Sequence, residues 1–125
     1  MHFIRGGELY QRLATTRRLE ESTVKLYALQ LILAIGHLHE KNIIYRDLKP
    51  ENILVNDDGY LVLADFGLAK DMTNLDHTQT FCGTPEYFAP ELLQEAGHNH
   101  QVDWWAIGIL IYEMVIGFPP FYNKI

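Results

Sequence analysis

The sequence predicts an α+β fold, mostly helical with small β-hairpins, and three observations carry that reading. Two stretches, from about Glu20 to Lys41 and from Asp103 to Met114, read as long apolar helices. Ile43-Ile44-Tyr45, Ile53-Leu54-Val55 and Tyr60 to Leu63 are short β-branched or aromatic runs that suit strands. Between the last two runs lies Asn56-Asp57-Asp58-Gly59, whose residue types favour a tight hairpin turn.

The elements follow in order. Met1-His2-Phe3-Ile4 is short and apolar, Gly6-Gly7 break it, and Glu8 to Leu13 begins a helical turn, with Thr15 to Arg18 as a connector. The helix from Glu20 carries Glu20 and Glu21 near its start and His39 and Lys41 near its end, as the helix dipole favours. Its middle, Ala28 to Leu38, is apolar on nearly every side, which predicts burial on more than one face. Lys70 to Phe81 is Thr-bearing, without a strong period, and reads as a mobile loop. Pro90 starts a short helix that ends before Gly97, and the apolar helix from Asp103 is stopped by Gly117 and Pro119-Pro120.

With 125 residues and 48% hydrophobic content, the chain has at most one domain's length and a globular composition. A net charge of −6 argues against a nucleic-acid partner and suits basic proteins or peptides. One cysteine, Cys82, excludes an internal disulfide and fits a reducing compartment. No basic-then-apolar leader opens the sequence, and the run Trp104 to Tyr112 is too short to span a bilayer, so an intracellular, cytoplasmic protein is expected. His98 and His100 have a spacing that could suggest a metal, but no nearby Cys completes a set, and a solvated loop is the expectation.

The chemistry concentrates in Tyr45-Arg46-Asp47-Leu48-Lys49-Pro50-Glu51-Asn52 and in Asp65-Phe66-Gly67. Phosphoryl transfer needs a carboxylate to orient the attacking hydroxyl and metal ions to neutralise phosphate charge. Asp47 can accept the hydroxyl proton, and Lys49 can reach the transferring phosphate. Asn52 and Asp65 offer a neutral and an anionic oxygen, a hard set that suits Mg2+ bound together with ATP. Each piece alone has a plainer reading, since Asp with Asn five residues on occurs in many loops and Asp-Phe-Gly would serve any turn. Together with Cys82-Gly83-Thr84-Pro85-Glu86-Tyr87-Phe88-Ala89-Pro90-Glu91, coincidence recedes.

The order of these motifs resembles a eukaryotic protein kinase. Lys49 and Thr84 suggest serine or threonine as acceptor. Tyr45, the Cys82 to Tyr87 segment and Val102-Asp103-Trp104-Trp105 are similar to the AGC group, which includes cyclic-nucleotide-dependent kinases. The resemblance covers residues 1–125 as a partial catalytic domain, from the hinge to the central helix of the large lobe. It implies that Met1 is the gatekeeper, that His2 to Ile4 present backbone groups to adenine, that Leu54 floors the pocket, and that Glu8 approaches the ribose. Without the resemblance, Glu8 is an ordinary acidic residue in a first helical turn.

The same resemblance implies a phosphosite at Thr80, set by an upstream activating kinase, whose phosphate pairs with Arg46 and Lys70. A surface threonine in a Thr-bearing loop is the plainer reading. Glu8, Glu51 and Glu113 match carboxylates that receive arginines preceding the acceptor, and Phe81, Pro85 and Phe88 would line a pocket for the residue after it. Asp103 is expected to hold the backbone of the catalytic loop, and Phe66 and Tyr45 to stack into the core.

No Gly-rich loop, strand Lys or partner Glu is found, so the fold is expected to be incomplete, with the N-terminal lobe and last helices missing. Weak or no turnover and an exposed apolar surface around Trp104 to Val115 are therefore expected of these residues. Two functions follow: a fragment of an active protein serine/threonine kinase, or a truncated non-catalytic binding or competitor module. A small-molecule phosphotransferase fits less well, because Thr80 to Glu91 looks built to hold a peptide.

Overall fold

A computed structural model describes residues 9–73, 85–93 and 99–121. In chain order the elements are α1 (Leu9–Thr16), α2 (Glu21–Glu40), β1 (Ile43–Ile44), a 3-10 turn (Pro50–Asn52), β2 (Ile53–Val55), β3 (Leu61–Leu63), β4 (Lys70–Asp71), a second 3-10 turn (Pro85–Tyr87), α3 (Pro90–Leu93) and α4 (Gln101–Ile116). The α+β expectation holds, with the strands as two-stranded ribbons on a helical body. α1 continues to Thr16, into the expected connector, and the reversal begins at Arg17, whose φ is 66°.

Val24, Tyr27, Leu31 and Ile35, spaced three or four apart, form one buried stripe of α2, which packs against α4, β1 and β3. The expectation of burial on more than one face is corrected here. Leu26, Leu29, Ile32 and Leu33 lie on the other side and are exposed, because the described elements cover α2 from one side only. The interior joins Leu9 and Leu13 of α1 to Tyr27, Leu31 and Ile35 of α2 and to Leu110 and Met114 of α4, with Tyr45 and Leu48 of the intervening loop inside it.

α4 buries Val102, Asp103, Ala106, Ile107, Ile109, Leu110 and Met114. Trp104, Trp105, Tyr112 and Val115 are exposed, as expected for that stretch. The helix ends where Gly117 turns left-handed at φ 107° and returns its N–H to the Glu113 carbonyl at 2.7 Å. A Cβ there would stand 3.0 Å from the Arg17 carbonyl oxygen, and Leu19 N–H bonds the Met114 carbonyl next to it at 2.8 Å. Gly117→Ala is therefore expected to destabilise the full-length protein by about 1–2 kcal/mol, read from its denaturant midpoint. An unchanged midpoint would show that the α1–α2 connector yields at no cost.

β2 and β3 pair antiparallel, Ile53 with Leu63, Leu54 with Val62 and Val55 with Leu61. Gly59, at φ 86°, closes the expected turn with its N–H on the Asn56 carbonyl at 2.9 Å. β1 is joined by β4, Ile43 facing Asp71 and Ile44 facing Lys70. The loop predicted from Lys70 therefore begins as a strand. Backbone pairing along Ile43–Ile44 holds it, although Lys70 and Asp71 have weak strand propensity. Among the described residues no helix is long and apolar enough to cross a membrane.

Candidate active site

The loop leaving β1 turns at once into the core. Tyr45 is fully buried, and its hydroxyl donates to the Ala64 carbonyl. Burial, and then the charges of Asp47, Asp65 and Asp103, push its phenol well above the ordinary tyrosine range, so it stays a donor. The next residue, Arg46, adopts a left-handed φ of 69°, unusual for a side-chain-bearing residue.

Asp103 explains how that backbone is held. It is the first-turn carboxylate of α4, only 1% exposed. Its Oδ2 accepts the Tyr45 N–H and its Oδ1 the Arg46 N–H, each at 2.8 Å, and His39 Nε2 lies 2.8 Å from Oδ2. The expected hold on the loop is thus present, and a histidine at the end of α2 takes part in it.

This loop places Asp47 beside Asn52. Asn52 Nδ2 donates to the Asp47 carbonyl at 2.9 Å and to Asp47 Oδ2 at 2.8 Å, while Lys49 Nζ stands 3.8 Å from Asp47 Oδ1. With its nitrogen committed, Asn52 keeps its side-chain oxygen for a ligand. The Ala64 N–H donates to the Asn52 carbonyl at 2.8 Å, which brings the strand end carrying Asp65 to the same place. Asp65 is exposed at φ 55°, and its Oδ1 accepts the Gly67 N–H at 3.0 Å. Asn52 and Asp65 thus present two hard oxygens, a donor set that fits Mg2+, although no cluster of three His, Cys, Asp or Glu suited to a metal occurs among the described residues.

A second group of carboxylates lies on α4 and the 3-10 turns. The Tyr87 hydroxyl donates to Glu113 Oε2. Burial, then the charges of Glu51 and Glu86, raise the Glu113 carboxyl above its ordinary range against the lowering effect of that bond. Burial and Glu113 raise the Tyr87 phenol as well. Glu51 and Glu113, separated by about half of the sequence, therefore share one acidic region, to which Glu86 is added.

The remaining candidates fall out unevenly. Leu54 is half-buried on β2 opposite Val62. Arg46 Nε donates to the Leu68 carbonyl at 2.7 Å, and its Nη1 is buried with no partner among the described residues. Lys70 sits on β4. Pro85 is exposed, whereas Phe88 is buried with Ala89 and Val102, so its side chain serves the interior more than an open pocket. Phe66 meets the Tyr45 ring edge-on at 5.3 Å but is 50% exposed, which corrects its expected place in the core. Met1, His2, Ile4, Glu8, Thr80, Phe81 and Thr84 lie outside the described residues, as does His98. His100 was expected in a solvated loop; instead its ring packs 4.7 Å from His39 and its Nε2 is buried.

Sequence reasoning missed His39, Ala64, Glu86 and Tyr87. His39 reads as a helix-end cation, and Ala64 acts through its main chain, which leaves no mark in the sequence. Glu86 and Tyr87 stand inside the Cys82 to Glu91 motif, and their proximity to the other carboxylates was the signal available only in three dimensions.

The family model for the protein kinase domain matches residues 1–125. The "Serine/threonine-protein kinase sgk-1" of Caenorhabditis elegans is 54% identical over 122 residues, 97% of this chain and 26% of that protein. The "cAMP-dependent protein kinase catalytic subunit PRKX" of Homo sapiens is 53% identical over 123 residues, 98% of this chain and 34% of that protein. The "cAMP-dependent protein kinase catalytic subunit 3" of Drosophila melanogaster is 51% identical over 122 residues, 98% of this chain and 21% of that protein. The chain thus spans between about a fifth and a third of the length of these relatives. The likeness drawn from the motifs is borne out.

Proposed function

This chain belongs to the protein kinase domain family, and on that premise we propose that it supplies the catalytic loop and acceptor-side surface of an ATP-dependent protein serine/threonine kinase. The observation that carries this is the placement of Asp47, whose Oδ2 accepts Asn52 Nδ2 at 2.8 Å while Lys49 Nζ stands 3.8 Å from Oδ1. A carboxylate so oriented can take the proton of a substrate hydroxyl, and Lys49 can steady the phosphoryl group in transfer. Asn52 Oδ1 and the Asp65 carboxylate are the atoms that would hold Mg2+, which when bound neutralises charge on the ATP phosphates. Leu54, with Met1, His2, Ile4 and Glu8, is assigned to the nucleotide.

The acceptor side is read from the acidic region. Glu51 and Glu113, with Glu8, are assigned to arginines on the substrate, and Glu86 joins them because its charge acts on Glu113. Phe81, Thr84 and Pro85 are assigned to the residues next to the acceptor. The buried Arg46 Nη1 without a described partner supports a phosphate on Thr80, placed by an upstream kinase, as the anion that Arg46 and Lys70 receive. A cytoplasmic setting belongs to the same reading.

The test uses the full-length protein, ATP labelled at its terminal phosphate, and peptides bearing Ser, Thr or Tyr with and without upstream arginines. Label is expected on Ser and Thr, with arginine-bearing peptides favoured by about tenfold or more in kcat/KM. Transfer to Tyr alone would overturn the acceptor assignment. No transfer at all would leave the non-catalytic binding module as the better reading.

A further inference from the structure

The His39–Asp103 contact stands beside a second histidine, His100, whose ring packs 4.7 Å from His39. We propose that His100 is a positioning residue for phosphoryl transfer, acting through His39 and Asp103, and that a proton added to it loosens the catalytic loop. This rests on the phosphoryl-transfer reading above.

Asp103 is almost closed to water, and it receives the Tyr45 and Arg46 N–H groups together with His39. His39 donates to it from Nε2, and its ring is fixed from two sides. The His100 ring meets it at 4.7 Å and 75°, and the Trp104 ring at 5.2 Å and 86°. His100 immediately precedes α4, and the charged or titratable groups that face it are His39 from α2 and Asp103 from α4.

The buried His100 Nε2 has no partner among the described residues. A bare ring nitrogen tolerates this, whereas an N–H on a cation does not. Burial, then the neighbouring His39, accordingly hold the imidazole of His100 below its ordinary range, with Asp103 opposing. When acid forces a proton onto it, the new N–H must find a partner, either by turning toward Asp103 or by moving out to water. The first competes with His39 for the carboxylate, and the second removes the ring edge that fixes His39. Both weaken the hold on Arg46, whose left-handed φ of 69° needs that hold, and Arg46 adjoins Asp47.

The experiment is a kcat–pH profile of the full-length protein with MgATP and an arginine-bearing Ser peptide, beside His100→Gln and His100→Phe. Neither replacement can take a proton, and Phe keeps the ring edge, so failure of one to fold leaves the other. Wild type is expected to lose about threefold or more of its kcat as pH falls from ~6.5 to ~5, below the ordinary histidine range, with KM for ATP unchanged, and the variants to retain most of theirs. A merely structural role would lower kcat or thermal stability without moving the acid limb. Superimposable profiles in turning-over enzyme overturn the inference and leave the proposed function standing. Absence of turnover at every pH overturns both.

Discussion

Asp47→Asn in the full-length protein is expected to lower kcat by about 10²–10⁴-fold while leaving the fold intact. The amide has nearly the shape of the carboxylate and retains an oxygen for the Asn52 Nδ2 donor, now at 2.8 Å from Asp47 Oδ2. It cannot take a proton from a hydroxyl, and it loses the charge that Lys49 meets across 3.8 Å. KM for ATP should change little, because Asn52 and Asp65 are untouched. Steady-state kinetics beside a thermal melt separate the two effects. A loss of less than about tenfold would remove Asp47 as the proton acceptor and leave it a positioning group.

The largest expected loss of stability comes from Asp103→Asn, at about 3–5 kcal/mol. Three donors converge on this carboxylate, from His39, Tyr45 and Arg46, and all lie within 2.8 Å of its oxygens. An amide offers one acceptor oxygen, and its nitrogen would confront at least one of those donors in a site almost closed to water. The melting temperature of the full-length protein should fall by several degrees and its kcat with it, since the loop carrying Asp47 is released. A change below about 1 kcal/mol would mean that His39 or water replaces the lost bonds.

The helices and the hairpin were legible because local chemistry decides them: apolar runs ending at Gly117, and Asn56 to Gly59 between β-branched stretches. Asp47, Lys49, Asn52 and Asp65 stand out in the sequence as a candidate site because phosphoryl transfer needs those functional groups near one another. The errors arise where a partner distant in sequence decides. β4 exists through pairing with Ile43–Ile44, against its own propensity. The single buried stripe of α2 reflects which elements lie beside it, which apolar content cannot report. His100 looked solvated because its neighbours in sequence are polar, while its neighbour in space is His39, 4.7 Å away.

The two short ribbons have a consequence for motion. Ala64 is tied to Asn52 through its N–H and to Tyr45 through its carbonyl, and Lys70–Asp71 is tied to Ile43–Ile44. The stretch that carries Asp65, Phe66 and Gly67 is thus clasped at both ends to backbone flanking Asp47. A loop this short with fixed ends has little closure entropy left to lose when a ligand orders it. Motion of the Asp65 carboxylate that leaves both ties intact must therefore come from the backbone between Ala64 and Lys70.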